Sequence, residues 1–534
     1  MRVLVADTIA PEGVQYLRDR GFDVHEVAKA SREERHARLA DCEALITRSG
    51  TAVTAGLLEH APRLAFVGRA GVGIDNVDVD ACSRRGIVVV NAPFGNVVSA
   101  AEHTLGMLLA LVRRIPDAHD RLRAGAWDRS IHGSELFRKT IGVVGLGKVG
   151  SRVAARVKAF EAEVLVYDPY IPESRATDLG ATLTDFPTLL RRADVITFHV
   201  PLTAETEDMM RARELELAKP GVRIVNCARG GIVNEADLLA AIDAGHVSGA
   251  AIDVWSEEPP RSDVLWRLIR HPRVVVTPHL GANSSEAQVN VAVDVARQLV
   301  AFRDGELVEF AVNIPVSDAR LVAALRPFVT LAELLGRFAV QLEPGHVEAV
   351  DVTVAGAIAD MDPEGRSEPP ELLTRGVLSG LLGPVMAGPV NLVNAHLVAR
   401  DRGLNVATHR EESTQGYASL LTVSVRTNEG RKVIAGTVSD GRPRIVQLRD
   451  LHVDFAPEGY ILVLSYEDRP GMVGRIGSLL GRHNVNIASM QVGRRVKRGR
   501  AIVVLILDED LTGEQVGEVA RAVDADFARL VRLP

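Results

Sequence analysis

Three residues, Arg229, Glu258 and His279, have side chains suited to moving a proton beside a carboxylate-bearing substrate. They lie in NCARGGIVNEADL, DVWSEEPP and VVVTPHLGAN, at or just beyond apolar runs that read as strands. An Arg there binds a carboxylate through two parallel hydrogen bonds and polarises the adjacent carbonyl. A His titrates near neutrality and can take a hydroxyl proton. A carboxylate bonded to that His orients it and favours its charged form. Singly, each residue has a plainer role, as a solvated surface charge or, for a His after Pro, a turn residue. Together, downstream of a dinucleotide fingerprint, they read as a catalytic set.

That fingerprint is residues 141–168, IGVVGLGKVGSRVAARVKAFEAEVLVYD. The apolar run from Ile141 to Val144 reads as a buried strand. Gly145, Gly147 and Gly150 then form G-x-G-x-x-G at a strand-to-helix turn. The first allows the turn, the second admits a pyrophosphate to the backbone, and the third lets helix and strand approach. The helix places Val153, Ala154, Val157 and Phe160 on one face, and its N-terminus attracts phosphate. Asp168 ends the next strand. A carboxylate there bonds the ribose hydroxyls and repels a 2′-phosphate, so NAD is the expected cofactor.

These residues need rigid sheets behind them. Strands alternate with helices from residue 1 to about 97, and again from 141 to about 279, which predicts an α/β protein with two doubly wound parallel-sheet domains. The helical stretches 99–124 and 284–304 cross between them, with Pro116 breaking the first. The expected division is 1–98 plus 280–314 for the substrate, 99–279 for the Rossmann cofactor domain, an α+β block at 315–455, and a final unit at 456–534. The substrate belongs in the cleft between the first two. The block 315–455 has no catalytic motif and reads as an assembly or regulatory scaffold. It contains the polar, proline-rich loop 359–371. The last unit reads βαββαβ, a ferredoxin-like order. The basic run 494–500 sits on one of its hairpins as a solvated tip.

Bulk properties exclude several classes. A formal charge of −7 over 534 residues does not suit a general binder of nucleic acid or anionic membrane. No run reaches the roughly 18 apolar residues of a membrane span, and the N-terminus opens as a strand without the apolar core of a signal peptide. The cysteines, Cys42, Cys82 and Cys227, form no C-x-x-C, so neither a disulfide framework nor a metal site is expected and a reducing cytoplasm fits.

RAGVGIDNVDVDA (69–81), NVVSAAEHTLGMLLALVRRIP (96–116), GLGKVG and the three stretches above resemble the D-2-hydroxyacid dehydrogenase family, in its order. The C-terminal DRPGMVGRIGSLLGRHNVNI resembles an ACT regulatory domain, and the block before it resembles the intervening domain of the family's long, 3-phosphoglycerate-oxidising branch. The resemblance implies that His279 is the acid/base, Glu258 its support and Arg229 the group that binds substrate at carbon 2. It implies NAD contacts from Gly145, Gly147, Lys148, Val149, Gly150, Asp168, Pro201, Thr206, Cys227, Ala228, Asp253 and Gly281. Val72 and Gly73 would receive the substrate carboxylate, and Arg48 and Arg69 the phosphate. The reaction implied is NAD-dependent oxidation of 3-phosphoglycerate to 3-phosphohydroxypyruvate, on the route to L-serine. Tyr466, Asp468 and Asn486 match positions that hold L-serine as an effector, with Asp468 open to the plainer role of a helix cap. A homo-oligomer, a tetramer by resemblance, is expected.

Two other readings stand beside this one: a dehydrogenase of glycerate or another 2-hydroxy acid, and a non-catalytic NAD(H)-sensing protein. Val200 and Val72 depart from residues common in the family, and neither belongs to the catalytic set.

Overall fold

The computed structural model describes residues 1–28, 30–315, 319–342, 345–361, 368–386, 388–428 and 430–534. The N-terminal sheet has five parallel strands, Arg2–Val5, Asp23–Glu26, Ala44–Thr47, Phe66–Arg69 and Val88–Val90, in the order 2-1-3-4-5. Its central strand, Ala44–Thr47, is buried along its length, as a sheet covered on both faces requires.

The second sheet has seven parallel strands, Thr140–Val144, Glu163–Tyr167, Thr182–Leu183, Val195–Phe198, Val222–Asn226, Val247–Ile252 and Val274–Val276. Numbered along the chain, they lie in the order 3-2-1-4-5-6-7, with the chain reversing direction between strands 1 and 4. Ligands bind at that reversal, beyond the carboxyl ends of the strands. The two-residue third strand is too short to show period-two alternation in the sequence.

The first crossing is two helices, Val97–Arg113 and Ile115–Arg123. The break comes at Arg114, which is left-handed at φ 53°, and Pro116 sits in the first turn of the second helix, where its missing N–H costs nothing. The return helix, Ser285–Arg303, is capped by Ser284 Oγ, which accepts from Ala287 N at 3.2 Å. Phe160 is a correction: the helix after the glycine turn ends at Lys158, and Phe160 is 41% exposed rather than on its buried face.

Beyond residue 318 a long helix, Ala319–Leu342, packs on a six-stranded mixed sheet and on the helix Glu368–Leu382. Six of the thirteen residues of the loop expected at 359–371, residues 362–367, lie outside the described residues, and the helix already begins at Glu368. The last 75 residues form βαββαβ with strand order 2-3-1-4, all antiparallel. One face of that sheet, with Ile461 and Val531, joins the same apolar core as Phe338 of the long helix. Gln341 seals the contact, donating to Arg532 O and accepting from Arg532 N at 3.0 Å each.

Candidate active site

The glycine turn fits a pyrophosphate. Gly145 has φ +89°, a value that L side chains rarely adopt. A Cβ on Gly150 would lie 2.0 Å from Gly145 O, whereas one on Gly147 would meet nothing within 4 Å. The first and third glycines are therefore demanded by packing, and the second leaves the approach open. The helix Lys148–Lys158 has no side-chain cap, so its leading N–H groups are free to meet an anion. Asp168 holds the turn, accepting from Leu146 N at 2.8 Å and from Tyr170 N at 3.0 Å. Lys148 turns its ammonium onto the Phe94 ring, 3.7 Å from the centroid. Thr206 Oγ1 donates to Pro201 O at 2.6 Å, closing its own loop. Cys227 is a neutral thiol, pushed up to about 12 by burial and then by Asp253. Ala228 N is fixed by Asn226 Oδ1 at 3.1 Å.

His279 and Glu258 meet at the strand ends. His279 Nδ1 lies 2.7 Å from Glu258 Oε2, and Trp255 N donates to Glu258 Oε1 at 3.1 Å. Burial pushes the Glu258 carboxyl up, but the bonds from His279 and Trp255 outweigh it and hold it below its usual value. His279 is left-handed, φ 57°, and its N–H donates to Asp253 O at 2.7 Å. Asp253 is completely buried and accepts from Thr277 Oγ1 at 2.6 Å, Leu280 N at 2.7 Å and Gly281 N at 2.8 Å. His103, from the helix Val97–Arg113, approaches Asp253 Oδ1 at 3.2 Å. Asp253 is thus the keystone of the turn that carries His279.

Across the cleft the guanidinium of Arg229 presses on the 69–76 loop. A Cβ on Gly73 would lie 2.5 Å from Arg229 Nη2, and Arg229 Nε is 3.3 Å from the Asp75 carboxylate. Val72 O is held by Asn91 Nδ2 at 2.7 Å. Arg69 folds over Gly71, at φ +153° and without a Cβ to block it, and its buried Nε has no hydrogen-bond partner. Burial first, then repulsion from Arg229 and Arg48, pushes Arg69 down to about 10. Asp7 anchors the Arg48 loop, accepting from Arg48 N at 2.6 Å and from Thr51 Oγ1 at 2.7 Å. Arg48 and Arg229 therefore both lie near enough to repel the buried Arg69 guanidinium in one corner of the cleft.

The sequence reading did not single out Asp7, Asp75 or His103. Asp7 follows the first strand directly, and His103 is a lone polar ring in a mostly apolar helical run. Those positions were the available signals.

In the C-terminal unit Tyr466 is buried in the core, its phenol pushed up by burial and by Asp468. Asp468 is ion-paired with Arg494 and does not cap the following helix, whose N-cap is Gly471 without a side-chain bond. Asn486 donates to Asp508 at 2.6 Å. No hydrogen bond joins Asp468 to Asn486 among the described residues.

Doubly wound sheets, a glycine turn ending in an acid, and an Arg–Glu–His set at the strand ends define an NAD-linked dehydrogenase of 2-hydroxy acids. Residues 105–281 match the family described as D-isomer specific 2-hydroxyacid dehydrogenase, NAD binding domain. Residues 324–449 match the D-3-phosphoglycerate dehydrogenase intervening domain, and 460–523 the ACT domain. The D-3-phosphoglycerate dehydrogenase of Archaeoglobus fulgidus is 41% identical over 99% of this chain and 100% of its own length. That of Bacillus subtilis is 38% identical, each chain covered in full. Among solved structures, D-lactate dehydrogenase from Aquifex aeolicus, complexed with NAD and lactic acid, is 30% identical with a TM-score of 0.51. It covers 57% of this chain and 96% of its own. NAD-dependent formate dehydrogenase from Staphylococcus aureus in complex with NAD is 32% identical, TM-score 0.53, over 58% and 97%. The chain belongs to the D-3-phosphoglycerate dehydrogenases. It is an enzyme of L-serine biosynthesis with an NAD-binding domain and an ACT domain, and the reading as a non-catalytic sensor falls away.

Proposed function

We propose that the cleft oxidises 3-phosphoglycerate to 3-phosphohydroxypyruvate with His279, Glu258 and Arg229 as its catalytic residues. NAD, when bound, takes up the hydride from carbon 2. Because Nδ1 of His279 is engaged by Glu258, Nε2 is the atom that accepts the hydroxyl proton. Glu258, ionised at neutral pH, steadies the imidazolium so formed. Arg229 binds the carboxylate and the oxygen on carbon 2, assisted by backbone near Val72 and Gly73. Substrate would displace Asp75 from Arg229. Gly145, Gly147, Lys148, Val149 and Gly150 would line the pyrophosphate and Asp168 the ribose, with Pro201, Thr206, Cys227, Ala228, Asp253 and Gly281 framing the nicotinamide.

The observation that carries the substrate assignment is the corner of Arg48, Arg69 and Arg229. A buried guanidinium repelled by two others is relieved by an anion, and a phosphorylated hydroxy acid brings both a phosphate and a carboxylate. The test compares kcat/KM for 3-phosphoglycerate and D-glycerate in wild type and Arg69→Gln. Wild type should strongly prefer the phosphorylated acid. The variant should lose roughly 10- to 100-fold on it, the worth of one charge-assisted bond, and little on glycerate. Equal losses on both would discard Arg69 as a phosphate ligand.

The ACT domain supports control by L-serine, through Tyr466, Asp468 and Asn486. A symmetric homo-oligomer, a tetramer, is the assembly proposed, since paired copies of such a domain give a site that closes across a two-fold axis.

A further inference from the structure

Between the helices Glu368–Leu382 and Ala395–Asp401 and the strand Asn405–Glu411 lies a cavity of about 430 Å³, remote in sequence from the catalytic set. Its lining includes Arg375, His396, Arg400 and Thr374, against one carboxylate, Glu371. Two of the four buried side-chain polar atoms without a hydrogen-bond partner among the described residues belong here, Arg375 Nε and His396 Nδ1. The others of Arg375 are committed: Nη2 donates to Glu371 at 2.6 Å and Nη1 to Asn313 O at 3.2 Å. Thr374 and Thr408 hydroxyls sit 2.8 Å apart at the edge of the same helix and strand. A guanidinium that is only 12% exposed, a second one at the rim and an imidazole with an unmet nitrogen form a basic, donor-rich cavity.

We propose that this cavity binds a small oxyanion, a phosphate or carboxylate, between Arg375, His396 and Arg400. Burying an unmet donor costs about 1–3 kcal/mol, so native structures leave few. Arg375 Nε–H is such a donor, and His396 Nδ1 is one in its Nδ1–H tautomer, so a ligand that supplies acceptors meets both. His396 then donates from Nδ1, and Arg400 adds its charge at the rim. The site also reaches the catalytic half of the molecule. Asn313, held by Arg375, clamps the last strand of the five-stranded sheet, accepting from Val89 N at 3.0 Å and donating to Ile87 O at 2.9 Å.

The test is calorimetric titration of the full chain with inorganic phosphate, and separately with acetate, in wild type, His396→Gln/Arg400→Gln and Arg69→Gln. Wild type should bind phosphate at two classes of site. The double variant should lose one class, with affinity there weakened at least tenfold, while kcat on 3-phosphoglycerate stays within twofold. Arg69→Gln should lose the other class. If acetate binds the same class as phosphate, the natural ligand is a carboxylate; if only phosphate does, it is a phosphate. Should the double variant melt abnormally, Arg400→Gln alone, at an exposed position, must still weaken this class at least threefold. Unchanged phosphate binding in both variants of this cavity overturns the inference and leaves the catalytic reading intact. Loss of the Arg69 class without loss of this one supports the cavity whatever the fate of the catalytic reading.

Discussion

His279 Nδ1 lies 2.7 Å from Glu258 Oε2, so the ring is gripped at one nitrogen and Nε2 is left for the substrate. This pair fixes which atom moves the proton and in which direction the ring points. His279→Gln removes the acid/base and should cost kcat about 10²- to 10⁴-fold. Glu258→Gln keeps a hydrogen bond but not the charge, and should cost roughly 10- to 100-fold. KM for NAD should stay within about threefold in both. Steady-state kinetics in both directions decides it: a Glu258→Gln enzyme at full rate would remove the carboxylate from the mechanism.

The glycine turn, the strand–helix alternation of the cofactor half and the stretches that carry Arg229, Glu258 and His279 were legible because each is a local pattern. A buried strand, a glycine triplet and a terminal acid can be read within 28 residues. What was illegible depends on contacts between distant segments. Asp253 meets His103 across 150 positions, and Asp75 meets Arg229 across 154. No periodicity links such pairs. Phe160 was misread because helical spacing continues past the point where the chain turns at Lys158. The bond between Arg494 and Asp468 was hidden for a different reason, since Arg494 lies in a charge run that reads as solvated.

Acid stability follows from three buried or half-buried carboxylates. Burial pushes Asp7, Asp194 and Asp253 up, but their hydrogen bonds win in each and hold them below the ordinary value. A group whose folded pKa is depressed stabilises the protein above its unfolded pKa, and the contribution is lost as pH falls through the folded one. The melting temperature should therefore be level from neutrality to about pH 5 and fall below about pH 4, where unfolded carboxylates take up protons. Asp253→Asn keeps one acceptor oxygen and turns its amide N–H2 toward either the Leu280 or the Gly281 N–H, an unmet-donor cost of about 1–3 kcal/mol at neutral pH. The variant should melt lower at pH 7, show a shallower acid limb, and lose activity because the turn holding His279 loosens. Calorimetry from pH 3 to 8 reads both effects. An unchanged acid limb in the variant would mean that Asp253 contributes no such term.

Control by L-serine can be tested through the Asp468–Arg494 pair. An amino acid bound at Asp468 presents its ammonium to a carboxylate that Arg494 already occupies, so effector and guanidinium compete for one anion. Asp468→Ala should abolish inhibition by millimolar L-serine while leaving kcat within twofold, because Asp468 lies in the C-terminal unit and not in the cleft. Arg494→Ala should act in the opposite sense and lower the serine concentration for half-inhibition, since the competitor is gone. The gain expected is about 2- to 5-fold, the scale of an ion pair of which both side chains are partly exposed. Rates of NADH oxidation with 3-phosphohydroxypyruvate against serine concentration separate the cases. Opposite shifts in the two variants support a serine site at Asp468. Parallel loss of inhibition in both would mean that the ion pair holds the unit in its responsive shape and that serine binds elsewhere. Indifference of the wild type to serine would remove the effector site altogether and leave the ACT fold with a purely structural part in this enzyme.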